Sequence, residues 1–192
     1  NGIGMTASVS VDRPAAIRRA LRTLVAEKGF HGASMSAVAT QAGVATGTAY
    51  VHYASKDDLV LATYLELKTE LGAAVLDGYE PEAAPSERYR HLVRGAYAHL
   101  SAEPERARFL TQMEESPYHA AAHEQLVAQG DRLAEEALRP DLVELLVPLP
   151  GDVIYAMSLG VVVRLVAAGA SLGATELDTL TEATWRAITV PA

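Results

Sequence analysis

A chain of 192 residues with 49% apolar and 21% charged residues is long enough to bury a core and too apolar to be intrinsically disordered. It has no cysteine, which excludes a disulfide framework and any thiolate metal site and fits a reducing cytoplasm. The net charge of −8 is unevenly spread: residues 1–56 hold six Lys/Arg against two acids, and residues 57–192 hold ten against twenty-two. That is the pattern of a nucleic-acid-facing end on an acidic body. No charged n-region, apolar h-region and cleavage site opens the chain, so export is not expected, and residues 1–4 before Met5 are set aside as an expression remnant.

The first helix is expected over about 14–28, with Asp12 as its cap and Pro14 in its first turn. Ile17, Leu21, Leu24 and Val25 form its apolar face, Gly29 ends it, and Phe30 returns to the core. Ser34 is a good N-cap for a second short helix, Gly43 supplies a reversal with positive φ, and a third helix carries Thr46, Thr48, Tyr50 and His52. This is the layout of a helix-turn-helix, whose second helix enters the DNA major groove. Ser55 and Asp58 make a capping-box pattern for a long helix expected to run from 56 to about 79.

Beyond a Pro-containing loop at 80–85, helices are expected over about 86–102, from Pro104 through Met113, over 118–138 and over 175–188. An apolar run, 153–172, has the length of a membrane span. Arg164 in its middle would cost about 2.5–3.5 kcal/mol on insertion scales, so a buried or interfacial helix is the better reading and no membrane partner is expected. Nothing alternates with period two for long, and the fold class is all-α.

The segment from Arg13 to Leu59 resembles the DNA-binding domain of the TetR family of bacterial transcriptional regulators. The resemblance rests on Glu27-x-Gly29-Phe30, Ser34-Met35-x-x-Val38-Ala39, Ala42-Gly43-Val44, Gly47-Thr48-x-Tyr50-x-His52-Tyr53 and Ser55-Lys56-x-x-Leu59. It departs at Ala33, Ser36 and Ala45-Thr46, where the family often has Thr, a charged residue and Ser-Lys. The resemblance implies about nine helices: a three-helix DNA-binding domain over 5–55 and a ligand-binding and dimerisation bundle over 56–192. It further implies a homodimer on a palindromic operator, most simply a repressor, released by a small-molecule effector, with no catalytic activity and no cofactor.

DNA contacts are then expected from Ser34, Met35 and Ser36 at the start of the second helix, from Thr46, Gly47, Thr48, Tyr50 and His52, and from Lys56. Tyr53 is read as a core ring. Effector contacts are expected from Tyr64, Leu67, Leu71, Tyr97, Phe109, Met113, Tyr118 and Met157, although apolar residues at helical spacing are most often plain core. Val161, Val162, Arg164, Leu165, Leu177, Leu180 and Trp185 are expected at the dimer surface, with Arg164 pairing an acid across it. His119 and His123, at i and i+4 near Glu114, Glu115 and Glu124, have the spacing of a two-imidazole metal site that the carboxylates could complete, but there is no cysteine and no HExxH arrangement, and no metal is assigned. The rival readings are an all-α enzyme, for which no nucleophile elbow or phosphate loop is present, and a helical small-molecule or protein-binding module without DNA binding.

Overall fold

A computed structural model describes residues 12–190, so the expected domain limits at Met5 and Ala192 lie outside the described residues. The first helix, α1 (Arg13–Gly32), is capped by the Asp12 side chain, which accepts from the Ala15 N–H at 3.2 Å. Its regular geometry breaks at Gly29, with φ 68° and ψ 176°, which turns Phe30 into the interior. There Phe30 meets the rings of Phe109 and Tyr118 at centroid distances of 5.9 and 5.1 Å.

Two short helices, α2 (Met35–Gln41) and α3 (Thr46–His52), follow, and then α4 (Lys56–Val75), begun where the Ser55 hydroxyl accepts from Asp58 N–H at 3.0 Å. With 20 residues, α4 is about 30 Å long. It belongs to both halves: Leu59 and Val60 close the core over α1, whereas Leu67, Leu71 and Val75 serve the C-terminal half. It stops four residues short of expectation, and the chain turns at Gly78 with positive φ.

The C-terminal half contains α5 (Pro85–Ala102), α6 (Pro104–Glu114), α7 (His119–Gln129), α8 (Arg132–Ala137), α9 (Pro140–Val143), α10 (Gly151–Met157), α11 (Leu159–Ala167) and α12 (Ala174–Ile188). The single helix expected over 118–138 is two. Gly130 turns the chain at φ 88°, and Asp131 restarts it by accepting from the N–H groups of Leu133 and Ala134, both at 3.1 Å.

The run 153–172 is likewise divided. Ser158 leaves helical geometry (φ −120°, ψ −107°), and its hydroxyl donates to the Ile154 carbonyl at 2.6 Å. Gly160 then lies so close beneath Tyr155 that an added Cβ would meet the Tyr155 carbonyl oxygen at 2.9 Å. Only a glycine permits that approach. Among the described residues, no helix is long and apolar enough to cross a membrane.

One core joins the two halves. Ile17, Leu21, Leu24 and Val25 of α1 pack with Leu59, Val60, Leu100, Ala107, Phe109, Leu110 and Met113, all buried. A second, smaller core holds Tyr89, Val93, Val162 and Ile188, with Trp185 lying against Tyr89 at 5.2 Å. The end of α12 is pinned to the loop after α9 by Val147 N–H to Ile188 O (2.8 Å) and Val190 N–H to Leu145 O (2.9 Å).

Candidate nucleic-acid interface

The turn between α2 and α3 follows from local chemistry. Ser34 Oγ accepts from Ala37 N–H at 3.2 Å, satisfying one of the free donors at the start of α2. At the other end Gly43 adopts φ 69°, and the N–H groups of Gly43 and Val44 return to Thr40 O (3.1 Å) and Ala39 O (3.0 Å). Val38 and Ala39 of α2 and Ala49 of α3 are buried at no more than 1% exposure, which locks the two helices together. The start of α3 has no side-chain cap, because Ala45 occupies that position.

With Ala49 inward, the opposite face of α3 is open. Thr46, Gly47, Tyr50 and His52 are exposed, and Thr48 is half-buried at the edge. A Cβ added to Gly47 would meet nothing within 4 Å, so the α3 backbone can come close to a surface laid against it. Ser36 at the start of α2 is also exposed. Together these residues present hydroxyls, a phenol and an imidazole to solvent, groups suited to phosphates and base edges.

Two expected contact residues are placed differently. Met35 is 7% exposed and its side chain packs in the core, leaving only its position at the α2 N-terminus on this surface. Lys56 Nζ donates to the Phe30 carbonyl, so its ammonium closes the end of α1 inside the domain. Tyr53 is a core ring, as its sequence suggests. Its hydroxyl accepts from Arg18 Nη1 at 2.6 Å, while Arg18 Nη2 reaches Glu66 at 2.6 Å.

Arg22 is also turned inward. Its Nε donates to Glu105 at 2.8 Å and its Nη2 to Glu103 at 3.0 Å, and Thr23 Oγ1 donates to the other Glu105 oxygen at 3.0 Å. Of the basic side chains at this end, Arg13, Arg19 and Lys28 remain exposed. The charge that faces phosphates is therefore smaller than the charge split implies. No local pattern announces these partners, because they lie some eighty positions away, at the start of α6.

Of the expected effector contacts, Tyr64, Leu67, Leu71, Phe109 and Met113 are all buried, at 0–6% exposure, in a filled core. Burial first, then the Asp131 and Glu114 carboxylates, push the Tyr64 phenol up to about 12. Tyr118 lies tilted against Phe30, and burial, then Asp57, raises its phenol. Tyr97 serves as a strut: its oxygen accepts from Leu172 N–H at 2.5 Å and donates to Leu172 O at 3.1 Å. Met157 is half-buried against the second core. A cleft of about 160 Å³ opens beside these residues, lined by Lys68, Gly72, Leu76, Leu126, Asp131 and Leu133.

On the expected dimer surface, Val161, Leu165, Leu177, Leu180 and Trp185 are half-buried in the subunit. Val162 does not belong there: it is 1% exposed and belongs to the second core. Arg164 finds its acid within the same subunit, Nη2 lying 3.5 Å from Glu114. The same carboxylate accepts from the Tyr155 hydroxyl at 3.0 Å. This triad was hidden in the sequence, because reading α10 and α11 as one helix puts Tyr155 and Arg164 at fixed and wrong relative angles. His119 and His123 stack at 5.9 Å, and among the described residues no group of three metal-ligating side chains forms around them.

Residues 17–63 match the family described as bacterial regulatory proteins, tetR family. The chain is 26% identical over 91 residues to the fatty acid metabolism regulator protein of Bacillus subtilis (strain 168), an alignment covering 47% of this chain and 46% of that one. The chain thus spans about half the length of that curated relative. A TetR-family transcriptional regulator from Haemophilus influenzae has the same fold at TM-score 0.75 and 24% identity, over 96% of this chain and all of the other. A TetR family transcription regulator from Marinobacter aquaeolei matches at TM-score 0.80 and 20% identity, over 93% and 96% of the two chains.

Proposed function

Because the chain belongs to the TetR family of bacterial regulatory proteins, we propose that it is a repressor that binds a palindromic operator as a homodimer and leaves it when a small molecule binds the C-terminal half. The observation that carries this reading is the open face of α3, where Thr46, Gly47, Tyr50 and His52 are exposed and Thr48 is half-buried among the described residues, on a helix anchored by buried Ala49. Phosphate contacts come from Ser34 and Ser36, the α2 N-terminus and the exposed Arg13, Arg19 and Lys28.

The second subunit docks on α11 and α12 through Val161, Leu165, Leu177, Leu180 and Trp185. Their partial exposure, and a shallow groove formed by Thr175, Glu176, Thr179, Leu180 and Ala183, support this choice. The effector is apolar in its main part, since the residues assigned to it are Tyr64, Leu67, Leu71, Phe109 and Met113. These are close-packed in the state described here, so effector entry parts α4 from α7 and α8, beginning at the 160 Å³ cleft. Release follows if the effector favours the parted arrangement over the DNA-competent one.

Selection of random duplexes by the purified protein tests the reading. The expected result is an inverted repeat bound by two chains, with affinity that falls as salt rises. A folded protein that enriches no duplex at low salt would instead be a helical binding module without DNA recognition.

A further inference from the structure

Val51 is 82% exposed, the most exposed large apolar side chain among the described residues. A lone exposed valine is ordinary on a protein surface, and its position is what sets this one apart. Helical geometry places Val51 about 200° around α3 from Ala49, and Ala49 is fully buried. Val51 therefore stands at the crest of the outward face. Gly47 is one turn earlier with open space around it, and a helical side chain leans toward the N-terminus, so Val51 extends over that bare stretch of backbone. Thr48 and Tyr50 flank it with polar groups.

A helix with this crest meets the major-groove floor through a branched hydrocarbon, with hydrogen-bonding groups to either side. Of the features presented there, the thymine C5-methyl alone is apolar. An amino group of cytosine or adenine, or an acceptor of guanine, would lose water against a side chain that offers no hydrogen bond in return. We propose that Val51 selects a thymine in each operator half-site by closing on its C5-methyl group. This rests on the operator-binding reading above and assigns one base preference within it.

Deoxyuridine differs from thymidine only in lacking that methyl, which makes the test specific. Each thymine of the selected duplex is replaced by deoxyuridine, symmetrically in both half-sites, and isotherms are measured for the full chain and for Val51→Ala at one salt concentration. Burying one methyl corresponds to about fourfold in affinity per half-site. The wild-type protein is expected to lose about that much per half-site at one position. Val51→Ala is expected to bind the thymine duplex more weakly, with an unchanged salt slope, and to be indifferent to the replacement at that position. Its melting temperature, equal to wild type, shows that the variant is folded. Wild-type insensitivity at every thymine, or an undiminished thymine preference in Val51→Ala, overturns the proposal and leaves operator binding standing. Failure of the wild-type protein to select any duplex overturns both.

Discussion

The ion pairs between α1 and α6 set up an asymmetry that a double-mutant cycle can measure. The Arg22 side chain is 10% exposed, whereas its partners Glu103 and Glu105 are 46% and 28% exposed. Removing Glu105 leaves the buried guanidinium with Glu103 alone, while removing the arginine leaves acids that can turn to water. Glu105→Ala deletes the 2.8 Å bond to Arg22 and the 3.0 Å bond from Thr23. At about 1.5–3 kcal/mol for a hydrogen bond to a charged group, discounted for partial solvent screening, the loss is about 2 kcal/mol. Arg22→Met keeps much of the aliphatic stem in the core and is expected to cost about 1 kcal/mol or less. Urea unfolding of both single variants and the double variant, at fixed protein concentration, gives the three free energies. The double variant should fall short of additivity by about 1 kcal/mol. Equal costs for the two single variants, or full additivity, would refute the reasoning.

Three further outcomes follow from the same geometry. Ala45→Ser supplies the side-chain cap that α3 lacks and should raise stability by about 0.5–1 kcal/mol, read as a higher melting temperature. Gly43→Ala meets no atom within 4 Å but must hold φ 69°, so it should cost about 1 kcal/mol in chemical unfolding, and Gly43→Asn less. Burial, then the neighbouring Arg106, lowers the pKa of His99 from its ordinary 6.5, so the unfolded chain takes up this proton first. The neutral imidazole thus contributes stability above pH 6.5 that is lost as pH falls below it, and His99→Gln should flatten that part of the melting-temperature profile.

Where a signal is local, the sequence displayed it. Asp12, Ser34 and Ser55 each cap the helix that follows, and Gly43 makes the turn, because caps and turns are decided by two or three adjacent residues. Breaks without a proline were less visible. Gly130 and Ser158 interrupt stretches that read as single helices, and at Ser158 the division is accompanied by Gly160 packing under Tyr155.

Partners distant in sequence could not be read at all. Arg18, Arg22 and Lys56 counted as positive charge available to DNA, yet each is bonded within the chain. Periodicity shows that Met35 and Val162 are apolar without showing which surface covers them, and both belong to the subunit's own core. Val51 was legible in principle, since a helical wheel that puts Ala49 inside puts Val51 outside.

In the proposed function, two copies of α3 read DNA together. Hydroxyl-radical footprinting of the selected duplex, with wild type and with a Thr48→Ala, Tyr50→Ala double variant, tests it most directly. The expected result is protection on one face of the duplex with two-fold symmetry, its two centres separated by about 10 base pairs or a multiple, and loss of that pattern in the folded double variant. Protection without two-fold symmetry, or protection unchanged by the double variant, would contradict it.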